Sequence, residues 1–129
     1  MASEAILIVD DNLNYLNLAR VMLQREAYQV ATATNAEEAL EVLKTFSPRL
    51  ILMDIQLPGM NGLDLTCRLK SNNQTRGIIV LAFTGDGGAK QQAFGAGCDG
   101  FITKPVDAPR LRRILEEHLR RETRNGEHT

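Results

Sequence analysis

The chain is short of cysteine, of net charge and of long apolar runs, and each shortage removes a class of function. Its two cysteines, Cys67 and Cys98, lie far apart with no histidine or cysteine at metal-ligand spacing beside either. That excludes a disulfide scaffold and a Cys/His metal site, and it suits a reducing compartment. Fifteen Lys and Arg against sixteen Asp and Glu leave a formal charge of −1. A surface that neutralises nucleic-acid phosphates normally shows an excess of Lys and Arg, so no direct nucleic-acid binding is expected. Arg110, Arg112, Arg113, Arg120, Arg121 and Arg124 do gather near the C-terminus, but Glu116, Glu117 and Glu122 interleave with them, as on a solvated helix face. The apolar runs fall far short of the roughly 20 residues that cross a bilayer. The N-terminus has no basic segment followed by a long apolar stretch. A cytoplasmic domain without membrane contact is expected. At 129 residues the chain has room for one compact domain and no second.

What the sequence does contain is organised around Leu50-Ile51-Leu52-Met53-Asp54, an apolar run that ends in one acid and is followed at once by the turn residues Pro58-Gly59 and Asn61-Gly62. It reads as a buried strand that delivers Asp54 to its C-terminal end. Ala5-Ile6-Leu7-Ile8-Val9 ends likewise in Asp10-Asp11, and Ile78-Ile79-Val80-Leu81-Ala82-Phe83 ends in Thr84-Gly85. Parallel strands would bring three carboxylates and a hydroxyl to one edge, where open α/β sheets place their chemistry.

Between these runs the periodicity switches. Tyr15, Leu18, Ala19, Met22 and Leu23 have the spacing of a buried helical stripe, which puts Leu13 on the far side and Leu16 on the flank. A short strand is expected at about 29–33. Asn35-Ala36-Glu37-Glu38 then has capping-box spacing ahead of a helix that buries Ala36, Ala39, Leu40, Leu43 and Phe46 and ends at Ser47-Pro48. Leu65 and Leu69 mark a third helix ended by Asn72-Asn73, and 89–96 a short fourth one closed by Gly97. Phe101-Ile102-Thr103 is the last strand. Asp107 caps a final helix with Pro109 in its first turn and Leu111, Ile114, Leu115 and Leu119 on its buried face. Residues 1–121 form the domain, and 122–129 are expected to be a polar, disordered tail. Five strands alternating with five helices call for a doubly wound parallel sheet with helices on both faces.

Bare neighbouring anions raise one another's pKa, so Asp10, Asp11 and Asp54 need a cation between them. Hard oxygen ligands with no thiolate or imidazole nearby point to Mg²⁺. Lys104, at the end of the last strand, adds a fixed positive charge and Thr84 a donor. A carboxylate nucleophile, Mg²⁺, an ammonium and a hydroxyl are the parts that phosphoryl transfer uses.

Over nearly its whole length the chain resembles the receiver domain of bacterial two-component response regulators. The resemblance rests on Val9-Asp10-Asp11-Asn12, on Met53-Asp54 with Leu57-Pro58-Gly59-Met60-Asn61-Gly62, on Ala82-Phe83-Thr84-Gly85, and on Gly97 through Pro105. It implies a flavodoxin-like sheet in the order 2-1-3-4-5. It also implies that Asp54 accepts a phosphoryl group from a histidine kinase or a histidine phosphotransfer protein. Asp10 and Asp11 would hold Mg²⁺ together with Asp54 and the main-chain carbonyl of Gln56, and Thr84, Gly85 and Lys104 would bind the phosphoryl oxygens. Thr84 and Phe101 would act as the switch, and the Lys104-Pro105 bond would be cis. By the same resemblance, partners dock near Asn14, Tyr15, Leu18 and Pro105. The chain would be a regulatory phosphoacceptor with self-phosphorylation and self-dephosphorylation chemistry rather than an enzyme, and its output would be altered protein contacts.

The spacing from Thr84 to Lys104 is shorter than usual in that family and crowded by Gly85, Gly87 and Gly88, so the fourth helix is expected to start late or be short. The dimer that other members form through this face is not carried over. A receiver cut from a hybrid histidine kinase and a binding module independent of phosphorylation both fit the same residues. A Mg²⁺-dependent aspartyl phosphatase is disfavoured, because Gln56 stands where that chemistry needs a second acid. A flavin binder is disfavoured too, because two acids rather than a Gly-rich loop follow the first strand.

Overall fold

The computed structural model describes residues 4–127, and their side chains as far as residue 120. Five strands, β1 (Ala5–Val9), β2 (Gln29–Ala33), β3 (Leu50–Met53), β4 (Ile79–Thr84) and β5 (Gly100–Thr103), alternate with α1 (Leu13–Arg25), α2 (Ala36–Val42), α3 (Gly62–Lys70), α4 (Lys90–Ala96) and α5 (Ala108–Glu127). All strand pairs are parallel, in the order β2-β1-β3-β4-β5. The three apolar runs are β1, β3 and β4, which lie at the centre of the sheet and have both faces covered, so neither face can be polar. Alternate residues point to opposite faces. Leu7, Val9, Ile51, Met53, Val80 and Ala82 pack with α2, α3 and α4. Ile6, Ile8, Leu50, Leu52, Leu81 and Phe83 pack with α1 and α5.

Short polar residues precede α1, α2, α3 and α5, whereas α4 follows Ala89 without a side-chain cap. The Asn12 side chain accepts from the N–H groups of Asn14 and Tyr15, Asn61 from that of Asp64, and Asp107 from that of Arg110. The capping box of α2 is offset by one residue. Asn35 accepts from the Glu38 N–H at 2.8 Å, but Glu38 reaches back to the N–H and hydroxyl of Thr34 instead of the N–H of the cap residue.

Several expectations need correction. In α1 the buried residues are Leu16, Ala19 and Leu23, while Leu18 is 54% exposed. Spacing alone admits either stripe, and the packing of α1 against β1, β2 and α5 selects the one that includes Leu16. Helix α2 stops at Val42, and Phe46 reaches the core through turns that let the chain extend before Pro48. Helix α4 is short, as expected, and is preceded by a 3₁₀ turn over Gly87–Ala89. It ends at Gly97, whose φ of 107° suits glycine. Helix α5 continues to Glu127, through most of the expected tail, because its Arg and Glu residues favour helix and no proline interrupts them. Residues 128–129 of that tail lie outside the described residues.

Candidate functional site

The winding of the sheet reverses between β1 and β3, and both strands end there in acids. The backbone ladder carries on one residue past each strand: the Asp54 N–H donates to the carbonyl of Val9, and the Asp10 N–H to that of Ala33. Both carboxylates are thereby anchored by main-chain bonds. Asp10 and Asp54 are buried, whereas Asp11 is exposed. An oxygen from each lies within 4.8 Å of an oxygen from the other two.

Lys104 arrives from β5, its N–H bonded to the carbonyl of Thr84 across to β4. The Lys104-Pro105 peptide is cis. Its Nζ stands 2.5 Å from Asp10 Oδ2 and 3.6 Å from Asp54 Oδ2, with all three side chains at most 8% exposed. The other oxygens are tied back to their own loops: Asp10 Oδ1 accepts from the Asn12 N–H at 2.9 Å and Asp54 Oδ1 from the Gln56 N–H at 3.1 Å. Burial pushes the Asp54 carboxyl up to about 6, and the charge on Asp10 adds to the rise. The Gln56 N–H and the Lys104 ammonium oppose it.

An open cleft above this cluster is lined by Asp11, Asn12, Tyr15, Asp54, Gln56, Gly85 and Lys104. Thr84 lies beneath the surface, fully buried, and its hydroxyl accepts from the Asp86 N–H at 3.3 Å. Thr84 pairs in register with Thr103 and Ala82 with Phe101, so Thr84 and Phe101 project from the same face of the sheet. Phe101 is half-buried against the core on the α2–α4 side.

Of the expected docking residues, Asn14, Leu18 and Pro105 are exposed, and Leu13 beside them is 60% exposed. Tyr15 is half-buried, with its ring 4.4 Å below Lys104 Nζ. The sequence reading did not foresee that contact, nor Asn12 as a wall of the cleft, nor the close approach of Gly62 to the backbone carbonyl of Asp54. An aromatic one turn beyond the acidic pair was the available signal for the first, and the Asn-Gly pair for the last.

Three carboxylates, a buried ammonium and a hydroxyl at a neighbouring strand end have the chemistry to hold a hard cation and an anion rather than an apolar ligand. Comparison with known proteins agrees. The family model described as response regulator receiver domain matches residues 6–116. The polar-differentiation response regulator DivK of Brucella anthropi is 34% identical over 118 residues, spanning 90% of this chain and 96% of DivK. A CheY-like receiver domain protein of Methanospirillum hungatei superposes with a TM-score of 0.88 at 29% identity, covering 96% of this chain and 99% of the other. The receiver domain of a Pseudomonas aeruginosa sensor histidine kinase has a magnesium ion coordinated in its active-site cleft. It matches at a TM-score of 0.82 and 26% identity over 90% of this chain and 97% of its own. The sheet order, the acids at its switch point and a match spanning most of the sequence place this chain in the response regulator receiver domain family.

Proposed function

We propose that Asp54 is the phosphoacceptor of a two-component signalling step, supplied by a phosphohistidine on a kinase or a phosphotransfer protein. The observation that carries the reading is the grouping of Asp54 with Asp10, Asp11 and Lys104 at one sheet edge, open to the cleft on one side. The donor set fits a hard cation: Asp10, Asp11 and Asp54, with the main-chain carbonyl of Gln56, would hold Mg²⁺. When bound, Mg²⁺ supplies charge neutralisation for the carboxylates and for phosphoryl oxygens.

The chain's own groups do the rest. An Asp54 oxygen attacks phosphorus and forms a P–O bond as the P–N bond to the donor imidazole breaks, the electron pair leaving on that nitrogen. Lys104 neutralises charge on the transferred group, and Gly85, which lines the cleft, has a main-chain N–H to offer it. The Thr84 hydroxyl accepts from the Asp86 N–H and keeps its own O–H to donate to a phosphoryl oxygen. That added bond, with Phe101 on the same sheet face, is the means by which the new charge on Asp54 alters protein contacts.

Phosphoprotein formation from a small acyl phosphate, with and without Mg²⁺, tests the reading in the native chain and in Asp54→Asn. Mg²⁺-dependent labelling that disappears in Asp54→Asn is expected. A folded native chain that stays unlabelled in Mg²⁺ would overturn it in favour of a module that signals by binding alone.

A further inference from the structure

The Lys104 ammonium is held by more than its two carboxylates. Its Nζ lies over the ring of Tyr15, 4.4 Å from the centroid, and 5.2 Å from the centroid of Phe83. Phe83 is buried on β4 within the α1–α5 core. Tyr15 comes from the first turns of α1, just past the Asn12 cap, and forms part of the cleft wall. Asp10 accepts a hydrogen bond from the ammonium and Asp54 stands at ion-pair distance, while the two rings cover surface that water would otherwise occupy. Both contacts favour the cation, because the face of an aromatic ring is negative. They also lower the local dielectric and so strengthen the attraction of Lys104 to Asp10 and Asp54.

We infer that Tyr15 is a positioning residue for phosphoryl transfer, acting through Lys104: its ring face fixes the ammonium beside Asp54 and shields it from water on the α1 side. The inference rests on Lys104 serving the phosphoryl site proposed above. It differs from a docking role for Tyr15, because a ring that holds Lys104 matters even when the donor is a small molecule with no docking surface. The ring is the active part. Phenylalanine therefore preserves the effect, while leucine keeps apolar bulk but has no negative face.

The test compares the native chain with Tyr15→Phe and Tyr15→Leu, each shown to be folded by circular dichroism, in two measurements. One is the rate of labelling by acetyl phosphate in Mg²⁺. The other is the ¹⁵N-detected ammonium resonance of Lys104, identified by its loss in Lys104→Met, which persists only while the ammonium is shielded from exchange with water. Tyr15→Phe is expected to keep the resonance and the native rate, and Tyr15→Leu to lose the resonance and about five- to tenfold in rate. A leucine variant with native rate and resonance would overturn the inference, as would a phenylalanine variant as impaired as the leucine one, since the hydroxyl would then be responsible. A native chain that is never labelled, but whose resonance survives in Tyr15→Phe and vanishes in Tyr15→Leu, would sink the phosphoacceptor reading and uphold the hold of Tyr15 on Lys104.

Discussion

Gly62 stands directly against the backbone carbonyl of Asp54: a Cβ built on it would overlap that oxygen and lie 2.9 Å from its carbon. The Gly62 N–H also donates to the carbonyl of Ile55, so the start of α3 is pinned to the turn that follows the acid. Neither partner is a flexible side chain that could yield. Gly62→Ala is therefore expected to cost about 1–3 kcal/mol of stability and to move Asp54. Urea unfolding midpoints read the first effect and acyl-phosphate labelling the second. A variant with the native midpoint would show that the turn yields freely.

Clustering of Asp10, Asp11 and Asp54 predicts that a divalent cation stabilises the fold. At Mg²⁺ one hundred times its dissociation constant, the gain is about 2.7 kcal/mol. Thermal unfolding in Mg²⁺ and in EDTA measures it, and the difference is expected to shrink in Asp11→Asn, whose side chain is exposed and dispensable for packing. Equal midpoints in Mg²⁺ and EDTA would argue against a site here.

Glu38 gives a pH dependence of definite sign. The N–H and hydroxyl of Thr34, at 2.7 and 2.8 Å, hold its carboxyl below the ordinary 4.5. The unfolded chain therefore binds this proton first as pH falls. The stabilisation is present above pH 4.5 and lost as pH drops through the lower folded value. Glu38→Gln is expected to be slightly less stable at neutral pH, by a margin that solvent screening keeps small, with the gap closing in acid. A gap that stays constant with pH would assign the effect to packing.

Lys70 ties down the opposite end of the sheet. Its ammonium donates to the carbonyls of Arg76 and Ile78 and to Asp99 Oδ2, which also accepts from the Val80 N–H. Lys70→Met is expected to lose about 1–2 kcal/mol while labelling of Asp54 continues at its native rate. Loss of labelling in a folded Lys70→Met chain would mean that the two ends of β4 are coupled.

The thiols differ in reactivity. Cys67 is exposed on α3, whereas Cys98 is buried and burial pushes its thiol up. One equivalent of a thiol reagent is expected to react with the folded chain and two with the denatured one. Rapid reaction of both would show that the α4–β5 corner opens.

The sequence by itself determined the strands and the acids that end them. Runs such as Leu50–Met53 are too uniformly apolar to lie anywhere but between two helical layers, and a strand that ends in Asp54 presents that residue at the sheet edge whatever surrounds it. The caps at Asn35 and Asp107 were equally legible, because a cap is a bond between residues about three apart. Tertiary structure decided what depends on a partner distant in sequence. Leu16 and Leu18 are near neighbours with the same hydropathy, and only the docking of α1 onto the sheet and α5 made one of them core and the other surface. The end of α2 was set by where the chain must turn to reach β3. The placement of Lys104 between Asp10, Asp54, Tyr15 and Phe83 joins the ends of β1, β3 and β5 to α1 and β4. The aromatic one turn beyond the acidic pair is its one local trace, because its energy comes from excluding water around a charge, and that happens only once the strands and α1 have closed around it.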